Sequence, residues 1–264
     1  MNRMDTSAFS AIGHAENFEK YRNINSKKIN EWVNIILDSL SRRESRNKII
    51  MDAGAGTGRF SIPIARNVEK LGYKVCSVER SGEMINKLIQ KSNDTGISNI
   101  VPIQSDIFDF IPSYLISGIF ISEVLHLLKD LESICSIFSN NLEKDGWLVI
   151  RTPSHKQLGN IEWLKFFPNA LEFDISRTKD VNEIISVLEN VGFSKIETQI
   201  IDESIMLPSE VYLEMLTSKA YSILYHFNES DLKIGYETLQ EYCKGRKYCK
   251  HTMELTCIKA FKSI

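Results

Sequence analysis

The sequence predicts an α/β fold, a mainly parallel sheet covered by helices on both faces. Short apolar runs, read as strands, alternate with segments whose apolar residues recur at i, i+3, i+4 and i+7, read as helices. The strand runs are almost continuously apolar, as expected of strands buried on both faces. One of them, Ile49-Ile50-Met51-Asp52, leads into Ala53-Gly54-Ala55-Gly56-Thr57-Gly58, with three glycines at alternate positions before a helical segment. Glycines there open main-chain angles closed to other residues and let a ligand lie against the free N–H groups of a helix start.

In chain order, residues 1–24 are polar and irregular and are expected to form an N-terminal arm; residues 25–264 form the main domain. Ile29, Trp32, Val33, Ile36, Leu37 and Leu40 mark an amphipathic helix, with Arg42 and Arg43 suited to its C-terminal end. The first strand is Lys48 to Ala53. The helix from Phe60 to Leu71 stops at Gly72. The second strand, Tyr73 to Glu79, leads to a helix capped by Ser81 and carrying Met84, Ile85 and Leu88. Ile100 to Gln104 is the third strand and Gly118 to Ser122 the fourth. Leu131, Ile134, Cys135, Phe138 and Leu142 define a helix; a turn at Lys144-Asp145-Gly146 precedes the fifth strand, Trp147 to Thr152. Residues 153–175 read as an insertion. Val181, Ile184, Ile185 and Leu188 mark a helix ended by Gly192, and Lys195 to Ile201 is strand six. Residues 208–245 read as a two-helix insertion. Tyr212, Met215, Leu216, Tyr221 and Leu224 lie in its first helix, and Ser230 caps its second. Met253, Leu255 and Cys257 alternate in a last strand.

Composition narrows the function classes. The chain has 264 residues, a net charge of −2, 43% hydrophobic and 25% charged residues, ordinary for a soluble globular protein. No global basic field invites nucleic acid or an anionic membrane. No apolar run approaches membrane-spanning length, and residues 1–15 lack a signal-peptide core. The five cysteines at 76, 135, 243, 249 and 257 fit no zinc spacing and read as buried thiols in a reducing cytoplasm; Cys243, Cys249 and His251 lack a fourth ligand, and no metal site is expected.

The glycines at 54, 56 and 58 depart from the dinucleotide fingerprint G-x-G-x-x-G, whose third glycine would fall on Arg59, and no P-loop Lys-Ser/Thr pair follows. Asp52-Ala-Gly-Ala-Gly-Thr-Gly58 instead closely resembles the first motif of class I S-adenosylmethionine-dependent methyltransferases, type 11-like. The specific motifs lie in residues 48–152. The resemblance implies a Rossmann-like sheet of order 3-2-1-4-5-7-6 with an antiparallel last strand, and a lid formed by the insertions. It implies S-adenosylmethionine as cofactor and S-adenosylhomocysteine as product. Asp52, Ala53, Gly54, Ala55, Gly56 and Gly58 would form the cofactor loop. Glu79, at the end of strand two, would accept the ribose hydroxyls, or stand as a solvated strand-end charge; Arg80 and Met84 follow it. Asp106 and Ile107 would meet the adenine, with a capping aspartate as the plain alternative. Ser122 and Glu123 would pass beneath the methionine moiety, and Tyr21-Arg22 resembles an element that covers its carboxylate. His126 matches a histidine facing the acceptor and would serve as a base if one is needed. Trp163 and Tyr221, with Phe166, Phe167 and Tyr225, would supply pocket walls.

The resemblance points to a small-molecule acceptor methylated at oxygen or nitrogen, in a cytoplasmic monomer or homodimer without nucleic-acid or membrane partners. Two rivals stand beside it: an NAD(P)-dependent oxidoreductase, disfavoured by Arg59, and a cofactor-binding regulatory protein without catalysis.

Overall fold

The computed structural model describes residues 14–21, 24–41 and 45–263. Its elements run α1 (His14–Tyr21), α2 (Ser26–Ser41), β1 (Ile49–Ala53), α3 (Ser61–Val68), β2 (Lys74–Glu79), α4 (Gly82–Thr95), β3 (Ile100–Gln104), β4 (Ile116–Ser122), α5 (Leu131–Asn141) and β5 (Leu142–Thr152). They continue with α6 (His155–Gly159), α7 (Ala170–Arg177), α8 (Val181–Asn190), β6 (Phe193–Asp202), β7 (Ile205–Pro208), α9 (Ser209–Thr217), α10 (Glu229–Cys243), β8 (Tyr248–His251) and β9 (Glu254–Lys262). Short 3₁₀ turns lie at Glu69–Leu71, Leu125–Leu127, Glu162–Phe166 and Ser222–Tyr225.

Seven strands form one sheet in the order β3-β2-β1-β4-β5-β9-β6. The pairs β1–β2, β1–β4, β2–β3 and β4–β5 are parallel; β9 runs antiparallel to both β5 and β6. This is the order expected, with β9 as the sheet's seventh strand. The period of two along each strand sorts the core. Met51, Ile119, Ile121, Leu148 and Ile150 face one side with Phe138 of α5 and Leu188 of α8. Ile50, Phe120 and Val149 face the other with Trp32 and Ile36 of α2 and Ile64 of α3. Gly118 in β4 is there for packing, since a Cβ would stand 1.9 Å from the Trp147 ring.

A third apolar cluster makes a helical lobe. Trp163, Leu164 and Phe167 from one insertion pack with Tyr212, Met215, Ile223, Leu224 and Leu239 from the other. The β7–β8 ribbon closes this lobe beside the sheet. Alternation over four residues is too short a sequence signal to separate from loop, so the ribbon was legible only in three dimensions.

Several expectations need correction. Residues 14–21 are helical rather than irregular, tied to α4 by Lys91–Glu19 and to α9 by Tyr21 Oη donating to Glu214. Arg42, Arg43 and residues 1–13 lie outside the described residues. The Lys144-Asp145-Gly146 turn is a bulge within β5, with Asp145 in the left-handed region at φ 57°. Tyr221 and Leu224 do not continue α9, because Lys219 at φ 56° breaks it and starts a separate 3₁₀ turn. Asn228, not Ser230, caps α10, its side chain accepting from the Asp231 N–H. In both places a local backbone choice overrode helical periodicity.

Candidate functional site

The loop from Gly54 to Gly58 leaves the C-terminal end of β1 and enters α3. Gly54 and Ala55 donate to the Val78 carbonyl at 2.9 and 3.0 Å, pinning the loop to β2. All three glycines have positive φ, at 75°, 54° and 80°. Their reasons differ. A Cβ on Gly54 would meet Val124 at 2.4 Å and one on Gly58 would meet Leu88 at 2.9 Å, whereas Gly56 has no heavy atom within 4 Å of that position. Only Gly56 of the three turns its bare main chain to open space. Ala53 and Ala55 are buried beneath the loop.

Glu79 ends β2 and holds the open glycine in place. One carboxylate oxygen accepts from the Gly56 N–H at 2.9 Å, the other from the Ser81 N–H at 2.7 Å. Each oxygen keeps lone pairs for a further donor. Burial raises its pKa, and the two amides hold it part of the way back. Ser81 caps α4 through the Met84 N–H, and the Met84 side chain is buried beneath. Asp106, after β3, accepts from the Phe108 N–H at 3.0 Å and lies 3.5 Å from Arg80; Ile107 is buried beside it. Together, an open glycine, a strand-end carboxylate and a second acid one strand further suit an adenosyl group.

Asp52 is buried and accepts from the Ser61 hydroxyl at 2.6 Å, and Ser77 in turn donates to Ser61. Burial, aided by the charge of Glu79, pushes its pKa up to about 6, against the pull of Ser61 and Arg59. Its visible contacts brace the start of α3.

An ion network lies behind the loop. Arg151 of β5 is fully buried, donating to Glu203 at 2.6 and 3.0 Å, to Ser122 at 3.1 Å and to Glu123. Trp32 of α2 donates to the same Glu203 at 2.7 Å, and Arg59 stands 3.5 Å from Glu123. Burial works against the Arg151 charge, yet Glu123 and Glu203 outweigh it and hold its pKa above the usual range. Glu123 has φ 53°, a conformation uncommon outside glycine and asparagine.

A cleft of about 50 Å³ lies between this sheet edge and the helical lobe. His126, Glu123, Trp163, Tyr221, Arg177 and Asp174 line it, with Leu158, Ile161 and Ile223 as apolar wall. A narrower cleft of about 30 Å³ is lined by Tyr21, Arg59, Glu203, Tyr221 and His251. Tyr221 lines both.

The structure thus brings Glu123, His126, Trp163 and Tyr221 to one cleft, and Tyr21 to the next. Asp52, Gly54, Gly56, Gly58, Glu79, Arg80, Asp106 and Ser122 gather at the ends of β1 to β4. Arg22 lies outside the described residues. Phe167 is core instead, stacked on Phe227 and edge-on to Tyr236, and Phe166 packs on Tyr242. Sequence reasoning passed over Arg151 and Glu203, and His251 entered it only beside Cys243 and Cys249, as a ligand set lacking a fourth partner. Arg151 carried a usable signal, an arginine ending an apolar run on a central strand, where a buried charge needs partners.

A family model described as a methyltransferase domain matches residues 44–227. No curated protein matches the chain. Among solved structures, the plantazolicin methyltransferase BamL, in complex with a desmethyl-plantazolicin analogue and S-adenosylhomocysteine, is similar at 15% identity and TM-score 0.62, covering 98% of this chain and 94% of its own. The YcgJ protein of Bacillus subtilis matches at 12% identity and TM-score 0.58, covering 91% and 100%. The [4+2]-cyclase SpnF matches at 14% and 0.59, covering 89% and 80%. Identities this low show the shared fold.

Proposed function

The chain belongs to the methyltransferase domain family, and from that premise we propose that it moves the methyl group of S-adenosylmethionine to an oxygen or nitrogen of a small-molecule acceptor. The observation that carries the reading is the open main chain at Gly56, held against the Glu79 carboxylate. Val in place of Gly56 would fill that space. In this reading the loop from Ala53 through Gly54, Ala55, Gly56 and Gly58 is the floor of the cofactor site. Glu79 takes the ribose hydroxyls, Asp106 and Ile107 the adenine, and Arg80 and Met84 its flank. Asp52, Ser122 and Glu123 serve the methionine end, and Tyr21, with Arg22 next to it in sequence, its carboxylate.

The bound sulfonium supplies an already activated methyl group, so in-line transfer asks the protein for alignment and a dry site more than for bond-making groups. The acceptor side is the cleft of His126, Trp163 and Tyr221. In this reading the insertions 153–175 and 208–245 form a lid over that cleft. A net charge of −2 and an apolar cleft wall favour a small organic acceptor over nucleic acid or membrane. The protein is read as a cytoplasmic monomer or homodimer.

S-adenosylhomocysteine is expected to raise the melting temperature, while NAD and NADP leave it unchanged. A shift with NAD alone would return the oxidoreductase reading. Incubation with methyl-labelled cofactor and a panel of small hydroxyl and amine acceptors then separates an enzyme from a cofactor-binding regulator. In that assay His126→Ala should lower turnover with cofactor affinity intact; unchanged turnover removes His126 from the chemistry.

A further inference from the structure

We propose that Tyr221 and His251 form a proton relay, and that the acceptor it serves is an aromatic hydroxyl; this rests on the cleft beside His126 being the acceptor site. Tyr221 Oη and His251 Nε2 stand 2.7 Å apart. Tyr221 lines the cleft that holds His126 and Trp163, while His251, 6% exposed on β8, lines the narrower cleft behind it. The pair therefore joins the two clefts. Around the His251 ring stand Tyr21, Arg59 and Glu203 in the same cleft, and the Tyr212 ring at 6.2 Å.

The chemistry follows from this order. When His251 carries its proton on Nδ1, Nε2 accepts from the Tyr221 hydroxyl, and the phenolic oxygen keeps its own capacity to accept a hydrogen bond. The O–H bond of an acceptor hydroxyl breaks as its proton passes to Tyr221 Oη. The proton of Tyr221 passes to His251 Nε2, giving an imidazolium that later returns it to solvent. The acceptor oxygen bonds to the methyl carbon, and the electron pair of the breaking sulfur–carbon bond stays on sulfur. An uncharged amine attacks through its lone pair and needs no such relay, whereas an alcohol or phenol does. The cleft wall favours the phenol: the Trp163 and Tyr221 rings lie 4.9 Å apart, and Leu158, Ile161 and Ile223 complete an apolar surface. Tyr221 would be the catalytic residue and His251 its positioning partner and proton sink.

Two measurements test this on the full chain. Nitrogen NMR of histidine-labelled protein with S-adenosylhomocysteine should show His251 protonated at Nδ1 near neutral pH, with an Nε2 resonance that moves in Tyr221→Phe. An Nε2-protonated tautomer would overturn the relay, since Tyr221 would then be the acceptor of that bond. In labelled methyl transfer, Tyr221→Phe and His251→Asn should slow phenol by about 100-fold and 4-nitrophenol, which is already ionised in mild base, by no more than about threefold. Equal losses on both, or no transfer to either phenol by the wild-type protein, overturn the proposal. Binding of S-adenosylhomocysteine, measured by calorimetry on the same samples, tests the cofactor site separately.

Discussion

Gly56 and Asp52 show how single residues at one sheet edge answer to different pressures. Gly56→Ala adds one methyl group where nothing stands within 4 Å, so the cost to folding is the left-handed backbone alone, about 1–2 kcal/mol. The same methyl group projects into the space assigned to the cofactor. Calorimetry should find S-adenosylhomocysteine binding at least about tenfold weaker, a loss of about 1.4 kcal/mol or more, in a protein that still melts cooperatively; unchanged affinity would contradict the loop assignment. Asp52 is the opposite case. Burial raises its pKa from 3.8 to about 6, so the folded state holds a proton that the unfolded chain has released. Stability is therefore greatest below about pH 4 as far as this group is concerned, and falls as pH rises toward 6. At neutral pH the buried charge costs on the order of 2–3 kcal/mol. Asp52→Asn keeps an acceptor for Ser61, so it should raise stability at neutral pH and flatten the slope between pH 4 and 6 in urea melts. A variant less stable than the parent at both ends of that range would show the charge to be compensated.

The element scale is governed by Arg151. One guanidinium joins the end of β4 through Ser122 and Glu123, the segment after β6 through Glu203, and α2 through Trp32 on the same carboxylate. Arg59 extends the network to the start of α3. Removing the cation leaves Glu203 buried with only the Trp32 N–H and Glu123 with Arg59 at 3.5 Å, so Arg151→Met should cost about 3–5 kcal/mol in denaturant melts. Replacement of Arg151 together with Glu123→Gln and Glu203→Gln should recover part of it; a cost near zero for Arg151→Met would mean water reaches the network. This lattice of charges sets the strand ends beside the glycine loop and the cleft of His126. Gly235 does similar work in the lobe, since a Cβ there would stand 2.0 Å from the Phe167 ring and push α10 off the cluster.

Across the whole molecule, the sheet and the lobe have separate apolar clusters and meet at the clefts. Among the described residues no helix is long and apolar enough to cross a membrane. A ligand that binds only the folded state adds about 2.7 kcal/mol at a hundredfold excess over its Kd, several degrees for a chain of this size. S-adenosylhomocysteine should produce that shift, and hydrogen exchange should slow at the ends of β1, β2 and β4. Exchange slowed only in the lobe would move the cofactor elsewhere. The sequence by itself determined the alternation of strands and helices, the glycine loop at 54–58 and the places of the acids Glu79 and Asp106, because apolar runs and glycine spacing are local signals; the strand order came with the family resemblance that the loop carries. Only the tertiary structure decided that Gly56 alone faces open space, that Arg151 and Glu203 neutralise one another, and that Tyr221 meets His251. The last two depend on contacts between residues 52 and 30 positions apart, and burial and partnership are properties of the packed neighbourhood rather than of any stretch of chain.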